Sequence, residues 1–367
     1  MDGASTRFRV LQWQPHLALA GFDLHLESFF SNAASNVMYT PARPVAKLLH
    51  LLRGVVRRCR VLMRLSRAAD VVFVHRETFP LGWPLLLNRL KRFRGVMVYD
   101  YDDAMFLPQR AHRGVIARLE RLDTPSRLMA MSDLVLAGNP FLAAYARQYS
   151  ENVVLLPTCI DTDRFRPGRQ SSGHRLVVGW IGSHSTSKYI ETLMPALERV
   201  AAAVSFELYV VGCSNTLRGQ GISIVQRPWA LEREVEDFQQ CDVGIYPLWD
   251  DDWSRGKSGF KAIQFMACGV PVVASGVGVT QQIIEDGRNG FIAMTPDDWV
   301  GKLTRLLSDA AERRALGDEG RRTIEAHYSV RANAPILIGA LRSALDRANA
   351  GSDALATADP IAPDRPS

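Results

Sequence analysis

Short runs that are apolar at almost every position, each followed by a segment with helical spacing, constrain this chain more than any other feature. DVVFVHRE (70–77), GVMVYDYDDA (95–104), SDLVLAGN (132–139) and NVVLLPT (152–158) form a first series. LVVGWIG (176–182), SFELYVVG (205–212), ISIVQRP (222–228), DVGIYPL (242–248), PVVAS (271–275) and FIAM (291–294) form a second. A strand that is apolar throughout must be covered on both faces, the condition of a parallel sheet between two helical layers. Helical spacing predicts helices around 82–93 and over 112–131, 140–148, 187–202, 231–239, 259–268, 279–286, 297–308 and 310–326. At the start, RFRVLQWQPHLALAG (7–21) has helical spacing up to Gly21, and FDLHLESFF (22–30) reads as a strand.

The two series are separated by TCIDTDRFRPGRQSSGH (158–174), which has no periodicity and gathers Pro, Gly, Ser and charge, the composition of a linker. A chain of 367 residues is long enough for two cores. The expected architecture is therefore α/β, with two doubly wound domains, 1–165 and 166–328, and a ligand cleft between them. SVRANAPILIGALRSALDRA is expected to form a helix over 329–348 that packs back toward the first domain, ahead of a disordered tail at 349–367.

Charge is unevenly spread. No acid lies between Glu27 and Asp70, a stretch that holds Arg43, Lys47, Arg53, Arg57, Arg58, Arg60, Arg64 and Arg67. Segment 44–68 reads as a long amphipathic helix, with a potential break at Gly54, and Arg53, Arg57, Arg60, Arg64 and Arg67 share one of its faces. Two readings stand for it: a helix on an anionic membrane surface, or a core helix with a solvated basic face. No aromatics interleave with the basic residues, so no nucleic-acid partner is expected. Five scattered cysteines without metal-type spacing suggest reduced thiols. With no apolar leader and no stretch long enough to span a bilayer, the expected location is cytoplasmic, with peripheral attachment to the inner face of the membrane as an option.

The segment GKSGFKAIQFMACGVPVVAS, beginning at Gly256, places Lys257 just before a helix and Lys261 in its first turn. A cation there opposes the helix dipole unless an anion compensates. The lysines either face water or flank a bound phosphate. GVGV (276–279) offers further amides before a helix, or merely a tight turn.

From Val177 to Ser329 the sequence resembles the C-terminal domain of the group 1 glycosyltransferases, also called family 4. The resemblance is carried by DVGIYPLWDDDWSRGKSGFKAIQFMACGVPVVASGVGVTQQIIEDGRNGFIA (242–293) and RALGDEGRRTIEAHYS (314–329). DLVLAGNPFLAAYARQYSENVVLLPTCIDTDRFRP (133–167) is similar to the family's interdomain passage. The resemblance implies the GT-B fold and retaining transfer of a sugar from a nucleotide-sugar donor such as a UDP- or GDP-sugar. It implies a glycan or lipid-linked acceptor, and no metal or other cofactor. Negative charge developing on the departing diphosphate would be met by fixed cations and amides. The implied donor site comprises Gly182, Ser183, Lys188, Arg227, Lys257, Gly259, Lys261, Gln264 and Gly278. The family's Glu-x7-Glu pair falls on Gly256 and Gln264, so the first acid is absent and the second is an amide. Ser183 stands where the family often has Arg, and the loop Arg227-Pro228-Trp229 falls where the family usually holds the base, so that Trp229 either packs there or caps the core.

In the first domain, His75 and the acids Asp100, Asp102 and Asp103 end two strands and so point toward the cleft. His75 is a candidate contact to sugar or acceptor, or a structural histidine. Asp102 and Asp103 are candidates to orient or deprotonate the acceptor hydroxyl, or helix caps. The opening run matches the family's acceptor loop at Ser5, Arg7 and Arg9, with Arg7 and Arg9 as acceptor contacts; on that alignment the first strand lies upstream or is missing. The expected activity is sugar transfer in cell-surface polysaccharide or glycoconjugate synthesis. Its rival is a catalytically silent subunit of the same fold that binds a partner or a sugar nucleotide. A nicotinamide dehydrogenase is disfavoured, since no GxGxxG follows the first strand.

Overall fold

The computed structural model describes residues 4–30, 44–76, 87–88, 90–107, 123–168, 175–213 and 215–357. Two parallel sheets form its frame. In the first, β1 (Val71–His75), β2 (Val96–Tyr101), β3 (Leu134–Ala137) and β4 (Val153–Leu155) lie in chain order. The second contains β5 (Val177–Ile181), β6 (Glu207–Val211), β7 (Ser223–Arg227), β8 (Val243–Tyr246), β9 (Val272–Ser275) and β10 (Phe291–Ala293). Their spatial order, β7-β6-β5-β8-β9-β10, is that of a doubly wound sheet, with the crevice outside the carboxyl ends of β5 and β8.

The all-apolar strands are explained by what covers them. Every residue of β2 is buried. Met97, Tyr99 and Tyr101 enter one cluster with Leu62 of α3 (Pro44–Ala68), Leu128 of α4 (Thr124–Met131) and Leu142 of α5 (Pro140–Ala146). Val96 and Val98 enter another, with Trp13, Leu17 of α2 (Gln14–Leu19), and Leu337 and Leu341 of the C-terminal helix α13 (Val330–Thr357). The second sheet repeats the scheme: α6 (Ser187–Ala203) lies over one face and α9 (Phe260–Ala267) over the other.

Several expectations are corrected. FDLHLESFF forms no strand. Phe22 and Leu24 pack beside the helical cluster of α2 and α13, but no neighbouring strand completes a ladder. α3 runs through Gly54 unbroken, because the missing side chain admits the Phe29 ring; a Cβ there would lie 2.6 Å from it. The helix expected over 279–286 shortens to α10 (Thr280–Ile283). The tail expected from 349 remains helical to Thr357, continuing α13 through an alanine-rich run; residues 358–367 lie outside the described residues, as do parts of the helices expected at 82–93 and 112–131 and part of the linker.

Candidate functional site

Two clusters face each other at the carboxyl ends of the sheets. The first grows from the register of β1 and β2, which sets His75 beside Asp100. His75 Nδ1 donates to Asp100 Oδ2 at 2.7 Å, and its Nε2 lies 2.8 Å from the hydroxyl of Ser5 on α1 (Ala4–Arg9). The Asp100 carboxylate only accepts, so His75 Nδ1 carries the proton of that bond. Ser5 Oγ also lies 3.2 Å from Asp102 Oδ1, which receives Arg76 Nε at 2.7 Å. The other end of the Arg76 guanidinium reaches Asp103 Oδ2 at 2.5 Å.

These charges are tuned by their surroundings. Burial pushes Asp102 upward, but Arg76, His75 and Arg9 hold it well below the usual carboxylate range. Asp103, half-buried beside Asp102, is raised above its ordinary value by desolvation and by Asp102, despite Arg76 and Lys257. Arg76 has φ of +59°, in a left-handed conformation that a non-glycine residue adopts only at a cost. Its amide donates to the Asp100 carbonyl at 2.8 Å.

The opposing cluster lies in the loops after β8 and β9. Asp251 caps the short helix α8 (Asp252–Arg255), and the chain then passes Gly256 and Lys257 to Gly259, where α9 begins. Asn139 locks this loop to the first domain. Its Oδ1 caps α5 through the Leu142 amide at 2.9 Å, while its Nδ2 donates to the carbonyls of Gly256 and Lys257 at 2.9 and 3.1 Å. Gly256 packs so closely on the first domain that a Cβ would lie 2.6 Å from the Cβ of Ala104. The family's first acid therefore has no room at this position. Lys257 is half-buried, over the Trp253 ring. Lys261 donates to Gln264 Oε1 at 2.8 Å, and burial brings its ammonium down to about 8. Gln264 is fully buried, and its Nε2 has no hydrogen-bond partner.

The other expected donor contacts scatter more widely. Ser183 is exposed, and its amide is engaged by Thr186 Oγ1 at 2.9 Å, just after Gly182. Lys188 lies 4.5 Å from the Trp249 ring centroid. Gly278 lines a cleft of about 380 Å³ between Asn139, Pro140 and Phe141 of the first domain and Arg255, Gly276 and Gln281 of the second. Its φ is +58°, and a Cβ would lie 2.8 Å from the Arg255 carbonyl, so the position demands glycine. Arg227 is exposed at the end of β7, an edge strand away from the crevice, over the Tyr209 ring. Trp229 is 37% exposed and approached by Arg7 rather than buried in a core.

The two acceptor candidates are both held in ion pairs. Arg9 is fully buried; it forms a bidentate pair with Asp100 and donates to the Leu156 carbonyl at 2.7 Å. With no exposed atom and each guanidinium nitrogen engaged, this side chain ties α1 to the first domain's core. Arg7 forms a two-pronged pair with Glu234 of α7 (Glu234–Gln239) at 2.7 and 2.9 Å, and Arg164 joins the same carboxylate at 3.0 Å. Next to Arg7, Phe8 sits in the second domain's core, 4.4 Å from the Phe260 ring. α1 thus bridges the domains. The roles of Arg76, Asn139 and Glu234 were missed by sequence reading. Asn139 alone carried a signal, as an Asn before Pro at a helix start.

Comparison with known proteins fits this frame. Residues 175–309 match the family of glycosyl transferases, group 1. The D-inositol 3-phosphate glycosyltransferase of Stackebrandtia nassauensis is 27% identical over 227 residues, 54% of this chain and 50% of that protein. The O-antigen biosynthesis protein RfbC of Myxococcus xanthus is 28% identical over 153 residues, 41% of this chain and 11% of that protein. The match spans about half the length of the first of these relatives. Among solved structures, sucrose-phosphate synthase of Thermosynechococcus elongatus superposes with a TM-score of 0.66 at 19% identity, covering 94% of both chains. HepE of Anabaena, in complex with UDP and glucose, superposes at 0.58 with 15% identity, covering 78% of this chain and 82% of that one. The fold is GT-B.

Proposed function

We propose that this chain, a group 1 glycosyl transferase by its second domain, moves a sugar from a nucleotide-sugar donor to an acceptor hydroxyl with retention of anomeric configuration. The observation that carries the reading is the opposition of two clusters: Lys257, Lys261 and the start of α9 on one side, His75, Asp102 and Asp103 on the other. The lysines and the first amides of α9 would hold the diphosphate and take up the charge it gains as it leaves. Lysine side chains and main-chain amides would meet that charge, without a metal. Gln264 would replace the family's acid at the donor ribose, its free Nε2 donating where a carboxylate accepts. Opposite, the Ser5 hydroxyl already sits between His75 Nε2 and Asp102. An acceptor hydroxyl in that place would meet an imidazole and an ionised carboxylate, groups suited to orient it, with the carboxylate able to receive its proton.

Relatives with names in O-antigen synthesis and inositol phosphate glycosylation support a glycan, lipid-linked or phosphorylated acceptor in cell-surface glycoconjugate synthesis. A second reading, a silent binding subunit, is favoured by one observation: α1 plugs the domains together through Phe8 and the Arg7–Glu234 pair.

The test is thermal stability of the protein and of Lys257→Ala against UDP-, GDP- and ADP-sugars, with donor hydrolysis measured in parallel. A ligand at about 100 times its dissociation constant adds about 2.7 kcal/mol. Stabilisation of the parent alone by one nucleotide class, with release of the nucleoside diphosphate, is expected. Stabilisation without release would favour the silent subunit, and no stabilisation by any donor would refute the lysine assignment.

A further inference from the structure

The basic helix α3 has three faces, and among the described residues one of them joins the hydrophobic core. Successive residues of a helix turn by about 100°. Leu51, Gly54, Leu62 and Leu65 share the side turned inward, where Leu62 and Leu65 join the first domain's core. On the outer side, Val45, Leu49, Leu52, Val56 and Met63 follow one another at helical spacing, with Leu48 alongside. These apolar side chains stand in solvent, from 49% exposed at Leu49 to 70% at Val45. Among the described residues only eight large apolar side chains are at least 49% exposed, and six of them lie on this helix. A contiguous patch of that kind marks an interaction surface rather than scattered surface leucines.

Beside the apolar stripe runs a second one. Arg53, Arg57, Arg60 and Arg64 are all exposed and follow the spacing of Leu52, Val56 and Met63 one residue later. The two stripes are therefore adjacent strips along one ridge. Among the described residues, Arg57 pairs with Glu27 at 3.0 Å. No acid lies in the sequence from 28 to 69 to neutralise the rest. No helix among the described residues is long and apolar enough to cross a membrane.

We propose that α3 is an interfacial membrane-docking helix, which lays Leu49, Leu52, Val56 and Met63 into an anionic bilayer surface while Arg53, Arg60 and Arg64 bind its headgroups. The occupant follows from the pair of stripes. Nucleic acid would satisfy the arginines and leave the apolar strip in water. A second copy of the helix would cover the apolar strip but bring like-charged arginine rows together. A leaflet of anionic lipid matches both at once: hydrocarbon for one strip and phosphate for the other. The inference stands independently of the sugar-transfer reading. If both hold, the docked domain is the one that carries His75 and Asp102, so a lipid-linked acceptor would be delivered to the same domain.

The test is co-sedimentation with vesicles of phosphatidylcholine alone and of equal parts phosphatidylcholine and phosphatidylglycerol. Two exposed-site variants separate the stripes, Arg53→Gln/Arg60→Gln and Leu49→Gln/Leu52→Gln, and a circular dichroism melt confirms each is folded. The full chain is expected to pellet with the anionic vesicles only, and less at high salt. Each arginine near an anionic leaflet is worth about a fivefold change in partitioning, so the arginine pair should weaken binding by about 25-fold. The leucine pair should weaken it at all salt concentrations. Equal pelleting with both vesicle types, or anionic binding that the leucine pair leaves unchanged, would overturn the proposal. So would a concentration-dependent dimer that the leucine pair dissociates, without vesicle binding by the parent.

Discussion

Replacing Arg9 by leucine should destabilise the first domain severely while leaving any acceptor contact untouched. Arg9 and Asp100 are both fully buried, and the carboxylate is shared between Arg9 and His75. Removing one partner of such a pair strands the other charge, at a cost of about 3–5 kcal/mol. At about 2–4 °C per kcal/mol for a domain of this size, the melting point should fall by about 6–20 °C. The pH dependence carries a sign. Burial raises the Asp100 carboxyl, but Arg9 and His75 bring it below its ordinary value. A folded-state pKa lowered in this way contributes stability that is present above the unfolded pKa and lost as pH falls through the folded one. Without Arg9 the burial wins and Asp100 takes up its proton more readily, so the gap between parent and variant should narrow from pH 7 toward pH 4. Melts followed by circular dichroism, with Arg9→Leu, Asp100→Asn and the double variant, measure both effects. The double variant should be more stable than the sum of the single losses predicts. A melting point for Arg9→Leu within about 2 °C of the parent, together with a raised acceptor KM, would show Arg9 to be the acceptor contact that its place in the opening run suggested.

Other outcomes follow from the cleft. Lys261 loses its proton at about 8, so affinity for a nucleoside diphosphate should fall as pH rises past that value, and Lys261→Met should remove the dependence in calorimetric titrations. With Arg76→Gln, Asp102 loses the cation that holds it ionised; its pKa should rise, and the acid limb of the pH–kcat profile should move to higher pH. An unmoved limb would mean that Asp102 does not titrate in the reaction. Gly256→Glu restores the family's acid against Ala104, and overpacking of this kind costs about 1–3 kcal/mol. Both melting point and donor turnover should drop, with partial recovery on adding Ala104→Gly.

The frame of the molecule was legible because burial on two faces leaves a local record. Val96, Met97, Val98 and Tyr99 must all be apolar when odd and even positions meet different helices. The lysine-bearing turn was legible for a similar reason, since its residues are neighbours in sequence. FDLHLESFF shows the limit of that logic: its alternation suits a strand, but a strand also needs a partner, which no local pattern reveals. The polar site was harder still. Arg9 finds Asp100 across 91 positions, and Arg7 finds Glu234 across 227. Nothing in the opening run distinguishes an arginine bound for the core from one bound for the cleft. The left-handed turn at Arg76 left no trace either, as it falls on a residue type that ordinarily avoids it.

The double duty of Asn139 sets a condition on traffic through the cleft. One amide side chain both starts a helix of the first domain and grips two carbonyls of the lysine loop in the second. A donor too large to slip past this grip must wait for it to release, together with the Arg7–Glu234 pair. Its apparent dissociation constant is then the intrinsic one divided by the fraction of molecules standing open. Substitutions at Asn139 would tighten apparent binding while slowing the chemistry that closure assembles. Substrate capture and turnover would thus be traded against each other by a residue that belongs to neither.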